Sequence, residues 1–95
     1  MIKAIVFTSD SCPCCRIFEK IVIDGLKRKF PIEFELINVS KNPDLVEKYN
    51  IEIVPTLILV KDGEVIGGFM GYSDLRTAET AIKKQLKAKC YGKYP

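Results

Sequence analysis

The segment SDSCPCCR, residues 9–16, places three cysteines within four positions directly after an apolar stretch. The preceding residues Ile2–Phe7 are apolar except for one lysine, which predicts a strand buried on both faces. After the cysteines, apolar residues recur with helical spacing as far as Lys29, and Pro31 closes the region. The cysteines therefore lie where a strand ends and a helix begins. At such a position unpaired backbone N–H groups and the helix dipole stabilise a thiolate.

Cys12 and Cys15 form the most suitable redox pair in this cluster. A disulfide between the neighbours Cys14 and Cys15 would strain the peptide between them, and only one residue separates Cys12 from Cys14. Residues three apart on a first helical turn face the same way, so the sulfur of Cys15 can reach that of Cys12. Pro13 suits the first turn, where its missing N–H would have had no partner. We expect Cys12 to be the attacking thiolate and Cys15 the buried resolving thiol, with Cys14 in a variable position.

A metal site is the main alternative for clustered cysteines. Structural zinc usually needs four ligands in two pairs, but the sequence has no histidine and its only distant cysteine is Cys90. Copper(I) suits soft thiolates and needs fewer ligands, so a thiol metal carrier using Cys12, Cys14 and Cys15 stays open as a binding function. The lack of histidine also argues against a Cys–His hydrolase, whose nucleophile needs an adjacent base.

Length and composition indicate one small globular domain, residues 1–95. The net charge of +3 is too small to indicate nucleic-acid binding, and no apolar run approaches the roughly 18 residues of a membrane span. The apolar N-terminal stretch is too short for a secretory leader, so we expect a cytoplasmic monomer whose thiols stay reduced. Basic residues are concentrated near the end of the sequence, at Lys83, Lys84, Lys87, Lys89 and Lys93. They could form a solvated helix face or a docking patch for an acidic partner.

The rest of the chain predicts an α/β domain with the order β-α-β-α-β-β-α. Apolar patterns and turn residues indicate, in order, a strand at Phe34–Val39, a helix starting at Asn42, strands at Thr56–Val60 and Val65–Met70 joined by a turn, and a helix starting at Ser73 and Asp74. Gly67 and Gly68 mark a bulge or a weak point in the fourth strand. A βαβ unit implies a parallel strand pair with a right-handed crossover, and the hairpin adds two antiparallel strands. We therefore predict a four-stranded mixed sheet covered by three helices.

The chain resembles the thioredoxin superfamily over nearly its whole length. SCPCC is similar to the family's redox motif, with proline after the first cysteine as in glutaredoxins, and residues 38–73 are similar to the thioredoxin pattern from the second strand through the hairpin. The resemblance implies a thioredoxin-like fold. It also implies a cis Val54–Pro55 bond beside the two sulfurs and a Val54 backbone that pairs with an extended substrate. Pro13 and Gly71 would line the same substrate groove.

The resemblance implies a thiol–disulfide oxidoreductase that reduces protein disulfides by cycling at Cys12 and Cys15. An upstream reductase or glutathione would recycle the disulfide, and no bound cofactor is required. A glutaredoxin-like, glutathione-dependent reductase is the alternative within this class. Residues 66–68, Ile-Gly-Gly, resemble a glutathione-binding motif but lie further from Pro55 than that motif does.

Two charged residues of the family pattern are absent together. Thioredoxins usually carry a buried aspartate in the strand before the cysteines and a lysine facing it from the next strand, and Val6 and Leu36 stand at the matching positions. Their joint absence is consistent, because one buried unpaired charge would be costly. We therefore expect proton transfer to and from Cys15 to use water or a backbone group.

Overall fold

The computed structural model describes the backbone of residues 2–90 and the side chains of residues 2–86. A first helical region, residues 13–29, consists of an α-helical, a π-helical and a second α-helical segment. The elements are β1 (Ile2–Thr8), α1 (Pro13–Ile17), the π-helix Phe18–Ile23, α2 (Asp24–Lys29), β2 (Glu33–Asn38), a 3₁₀ turn (Val39–Lys41), α3 (Pro43–Lys48), β3 (Thr56–Lys61), β4 (Glu64–Met70) and α4 (Leu75–Cys90). Within the described residues no helix is long and apolar enough to cross a membrane.

The four strands form one mixed sheet in the order β2-β1-β3-β4. The strand β1 pairs in parallel with β2 and antiparallel with β3, and β3 continues into an antiparallel hairpin with β4. The order of elements and the mixed four-stranded sheet predicted from the sequence are thus confirmed. Because β1 and β3 are the central strands, both of their faces are covered, which explains their predominantly apolar sequences.

The sheet separates two apolar cores. On one face Val6 and Leu57 pack against Phe18 of the first helical region and against Ile82 of α4. On the other face a smaller cluster of Phe7, Ile37 and Ile58 packs against residues of α3 and its flanks, which include Leu45 and Tyr49. The helices therefore hold the central strands from both sides, and the ends of these strands carry the candidate site.

Each strand begins or ends one residue away from its expected position, and the course of the first helical region also differs. The second strand ends at Asn38 and not at Val39, because the Asn38 side chain accepts a hydrogen bond from the Ser40 N–H at 3.0 Å and starts the 3₁₀ turn. The helix after the cysteines widens to π geometry at Phe18–Ile23 before it resumes as α2. It continues past Gly25, where a Cβ atom would lie 2.7 Å from the Leu75 side chain, so glycine allows α4 to approach closely.

The fourth strand contains the bulge that its glycines suggested. Leu59 pairs with Gly67 while Val60 pairs with Val65, so Ile66 is an extra residue on β4. Gly68 has a φ of +140°, and a Cβ atom there would collide with the backbone of β3. This conformation is open to glycine and strained for other residues.

Candidate active site

Three chain segments meet at one end of the sheet. Phe7 pairs with Thr56 across β1 and β3, and Thr56 pairs with Met70 across β3 and β4. The loop that carries Cys12 leaves β1 at this end, Pro55 enters β3 here, and Gly71 follows β4 here. The sheet register therefore brings together residues that are widely separated in the sequence.

Cys12 is the N-cap residue of α1. Its backbone is extended, its N–H donates to the Ser9 carbonyl at 3.2 Å, and its Sγ accepts a hydrogen bond from the Cys15 N–H at 3.1 Å. Pro13 occupies the first turn, as expected for a residue without an N–H. The sulfur is half-buried and stands at a helix start, which suits an attacking thiol.

Cys15 lies beneath Cys12 and is 1% exposed. The pKa of the Cys15 thiol is raised from 9.0 to about 12, mainly by burial and also by its hydrogen bond with the Cys12 side chain. A backbone hydrogen bond from Ser9 has the opposite effect on this pKa, and the negative charge of Glu19 adds to the rise. Cys15 is therefore held as a neutral thiol near neutral pH.

The third cysteine of the motif, Cys14, is exposed, and all three thiols are free. Among the side chains of residues 2–86, no three cysteine, histidine, aspartate or glutamate side chains are grouped so that they could hold a metal ion. The metal-carrier hypothesis therefore has no preformed three-thiol site in this part of the chain. Cys90, the remaining candidate zinc ligand, lies outside the described side chains.

The Val54–Pro55 bond is cis, as the resemblance implied. Pro55 is buried and Val54 is half-buried, and the turn before β3 is closed by a hydrogen bond from Thr56 Oγ1 to the Ile53 carbonyl at 2.7 Å. Gly71 has a φ of +80°, and a Cβ atom there would lie 3.4 Å from Ile53 Cδ1. The Gly71 segment thus borders the segment that precedes the cis proline.

Exposed apolar side chains surround these segments, and the sequence analysis had not identified them. Ile53 precedes Val54, while Met70 and Tyr72 flank Gly71; all are about half exposed or more. The Tyr72 ring lies 6.1 Å from the buried ring of Phe18, which anchors it beside the helical region. Exposed apolar residues grouped in this way are typical of surfaces that bind other proteins. Their position next to motif residues is the only sequence signal that could have identified them.

Val6 and Leu36 stand where the family pattern has a buried aspartate and a lysine. Both are apolar, but they differ in burial. Val6 is fully buried and pairs with Leu36, which is 46% exposed because β2 is an edge strand. The groups that act on Cys15 lie elsewhere: Cys12, the Ser9 backbone and Glu19, one helical turn after Cys15. The Ser9 hydrogen bond is a contact of Cys15 with a backbone group, while proton transfer through water or the backbone stays a prediction. The sequence pattern did not indicate the influence of Glu19.

Comparison with known proteins places this arrangement in context. The thioredoxin family model matches residues 2–87. Thioredoxin of Methanocaldococcus jannaschii is 34% identical over 87 residues, which cover 90% of this chain and 96% of that protein. Bovine thioredoxin domain-containing protein 9 is 38% identical over 81 residues, and the chain spans 36% of its length, as it does for the human protein of that name. The crystal structure of reduced Schistosoma mansoni thioredoxin pre-protein gives a TM-score of 0.78 at 30% identity, over 87% of this chain and 77% of that one.

Proposed function

Because the chain belongs to the thioredoxin family, we propose that it is a thiol–disulfide oxidoreductase that reduces protein disulfides through Cys12 and Cys15. The observation that carries this proposal is the geometry of the pair. The Cys12 sulfur stands at a helix start and is bonded by the Cys15 N–H, while the Cys15 thiol lies buried directly below. One sulfur is accessible to a substrate, and the other is accessible only to the first.

In the first step the Cys12 thiolate attacks one sulfur of a target disulfide. The other target sulfur leaves with the electron pair of the broken bond and takes up a proton from solvent. In the second step Cys15 gives up its proton to water and attacks Cys12 Sγ, which expels the remaining target sulfur as a thiolate. Two electrons pass from the dithiol to the target, and the protein is left with a Cys12–Cys15 disulfide.

The raised pKa of Cys15 gives the two thiols different roles in the reaction. A thiol that holds its proton at neutral pH does not compete with Cys12 for the target disulfide. In the mixed disulfide Cys15 must give up that proton, and the Ser9 backbone hydrogen bond favours the resulting thiolate. Because Cys15 is buried, it does not attack the target disulfide itself. It acts only in the second step, when Cys12 is bound to the substrate.

The substrate would be an extended protein segment around a disulfide. We expect the Val54 backbone, Pro13 and Gly71 to border the sulfurs, as the family resemblance implies. The exposed apolar residues Ile53, Met70 and Tyr72 suit contact with a protein surface. An upstream reductase or glutathione would return the Cys12–Cys15 disulfide to the dithiol.

Reduction of insulin disulfides tests the proposal. With dithiothreitol as electron source, the protein should accelerate insulin precipitation, and replacing dithiothreitol by a thioredoxin reductase system or by glutathione identifies the recycling route. Cys14→Ser is the matched control, because it removes a thiol from the same motif. Negligible reduction by freshly reduced protein, together with tight copper(I) binding that is lost in Cys14→Ser, would instead identify a metal carrier.

A further inference from the structure

The outer edge of β4 is occupied by a side-chain amide. The Gly68 N–H donates to Gln85 Oε1 at 2.9 Å, and the Gly68 carbonyl accepts from Gln85 Nε2 at 3.2 Å. A carboxamide carries the same donor and acceptor groups as a peptide unit. Gln85 therefore makes the two hydrogen bonds that a further strand would make at this position of an edge strand.

The shape of β4 fits this contact. A Cβ atom on Gly67 would lie 2.6 Å from Gln85 Oε1, so a larger residue would push the carboxamide away. Gly68 follows the bulge at Ile66 and has a positive φ, and in this conformation its backbone groups bond to Gln85. The strand thus presents the N–H and the carbonyl of one residue, Gly68, to an amide partner.

Two grooves border this edge, one on each face of the sheet. A groove of about 370 Å³ lies between residues 49–52 and β4, with Tyr49, Ile51 and Met70 among its lining residues. Another, of about 500 Å³, runs along α4 between Arg76 and Lys84. Gln85 lines both grooves. Tyr49 and Ile51 belong to the core on the α3 face, while α4 packs on the opposite face.

The two grooves differ in chemistry. Both are bordered mainly by apolar groups, but the second also carries the exposed cations Arg76 and Lys84. Glu79 is the only acid in the sequence of α4, and it pairs with Lys29 at 3.2 Å. The α4 face of the edge is therefore positively charged.

We propose that the β4 edge is a docking site for an extended acidic segment of a partner protein, which displaces the Gln85 carboxamide and adds a fifth strand to the sheet. Side chains of a strand alternate between the two faces of a sheet. The bound segment therefore places apolar side chains towards Tyr49 and Ile51, and acidic side chains towards Arg76 and Lys84. This docking site lies outside the cysteine motif and does not depend on the proposed redox activity, although Met70 borders both its first groove and the Gly71 segment.

Displacement of Gln85 replaces two hydrogen bonds by two others. The N–H and the carbonyl of one residue in the incoming segment take over both bonds to Gly68, so this exchange is close to neutral. Net affinity then comes from apolar contact in the first groove and from charge pairing along α4, which makes binding dependent on salt concentration.

Peptide titration tests the proposal. The probe is an acetylated nine-residue peptide that alternates valine and glutamate, and the control peptide has the same composition with its valines and glutamates in separate blocks. Calorimetry and the NMR shift of the Gly68 amide report binding. We expect the alternating peptide to bind the protein and to shift this amide, and Gln85→Ala to bind about fivefold more tightly because no carboxamide competes.

Charge reversal supplies the second arm, on exposed residues whose replacement leaves the fold intact. Arg76→Glu combined with Lys84→Glu should weaken peptide binding about tenfold or more, while the matched reversal Lys20→Glu with Lys27→Glu leaves it within about twofold. Insulin reduction should stay unchanged in both pairs. Equal binding of the two peptides, no binding at millimolar concentration, or insensitivity to the α4 reversal would overturn the proposal. Concentration-dependent dimerisation of Gln85→Ala without peptide would assign the edge to a second copy of the chain and also overturn it.

Discussion

Cys12 and Cys15 are three residues apart in one motif, yet their surroundings assign them different chemistry. Cys12 caps a helix and is partly open to solvent, while Cys15 is enclosed by the core and has a pKa of about 12. The exposed Cys14 lies between them in the sequence and shares neither environment. Each thiol therefore has its own expected phenotype.

Replacing either sulfur of the pair should block the cycle at a different step. Cys12→Ser should abolish disulfide reduction because it removes the attacking thiol. Cys15→Ser should accumulate mixed disulfides with the substrate, because the first step proceeds and the resolving thiol is absent. Non-reducing gels with mass spectrometry of both variants measure this. Adducts that accumulate on Cys12→Ser instead would reverse the two roles.

Cys14 should be a spectator in turnover. Its exposed side chain takes no part in the hydrogen bond between Cys12 and Cys15, so Cys14→Ser should keep insulin reduction within a few-fold of the parent. Titration of reduced protein with copper(I) and zinc against a competing chelator provides the companion measurement. A large loss of reduction in Cys14→Ser would show that this thiol participates in exchange.

At the scale of elements, β4 depends on a residue of α4. Gln85 satisfies both backbone groups of Gly68 beside the bulge, which links the last helix to the edge of the sheet. The first helical region depends on α4 in a similar way, because Gly25 leaves the space that Leu75 fills. The last helix thus contacts and holds in place two elements that precede it in the sequence, β4 and the first helical region.

Loss of the Gln85 carboxamide should destabilise the protein measurably. Gln85→Ala removes two hydrogen bonds and should lower the free energy of unfolding by about 1–3 kcal/mol. Lys84→Ala, an exposed neighbour on the same helix, should change it by less than about 0.5 kcal/mol. Urea denaturation of the two variants gives the comparison. Equal stability of Gln85→Ala and the parent would mean that solvent satisfies Gly68 equally well.

At the scale of the whole molecule, the buried thiol couples folding to pH. The folded protein keeps the Cys15 proton at pH values where the unfolded chain has released it, because its pKa rises from 9.0 to about 12 on burial. The corresponding stabilisation is complete below pH 9 and is lost as the pH rises from 9 towards 12.

Unfolding of the reduced protein across this range should show the coupling. The free energy of unfolding should fall more steeply than that of Cys15→Ala, with an excess slope of up to about 1.4 kcal/mol per pH unit. Other groups titrate in both proteins and cancel in the difference. Cys14→Ser should keep the parent slope, and parallel curves for the parent and Cys15→Ala would contradict the raised pKa.

The sequence by itself determined the features that depend on neighbours along the chain. Apolar periodicity defined the β-α-β-α-β-β-α order, and the spacing of Cys12, Pro13 and Cys15 placed them on a first helical turn. Gly67 and Gly68 indicated the bulge, because their backbone freedom is itself a local property. These predictions needed no knowledge of which strands lie side by side.

Only the tertiary structure decided what depends on strand order and on packing. Sheet register brings Cys12, Pro55 and Gly71 to one end of the sheet, and the edge position of β2 exposes Leu36 although its partner Val6 is buried. The contact between Gln85 and Gly68 joins residues 17 positions apart. Desolvation of Cys15 likewise results from atoms of several elements that close around one sulfur. The amino-acid sequence contains the residues that make these contacts but not the distances between them. Burial and hydrogen bonding depend on those distances.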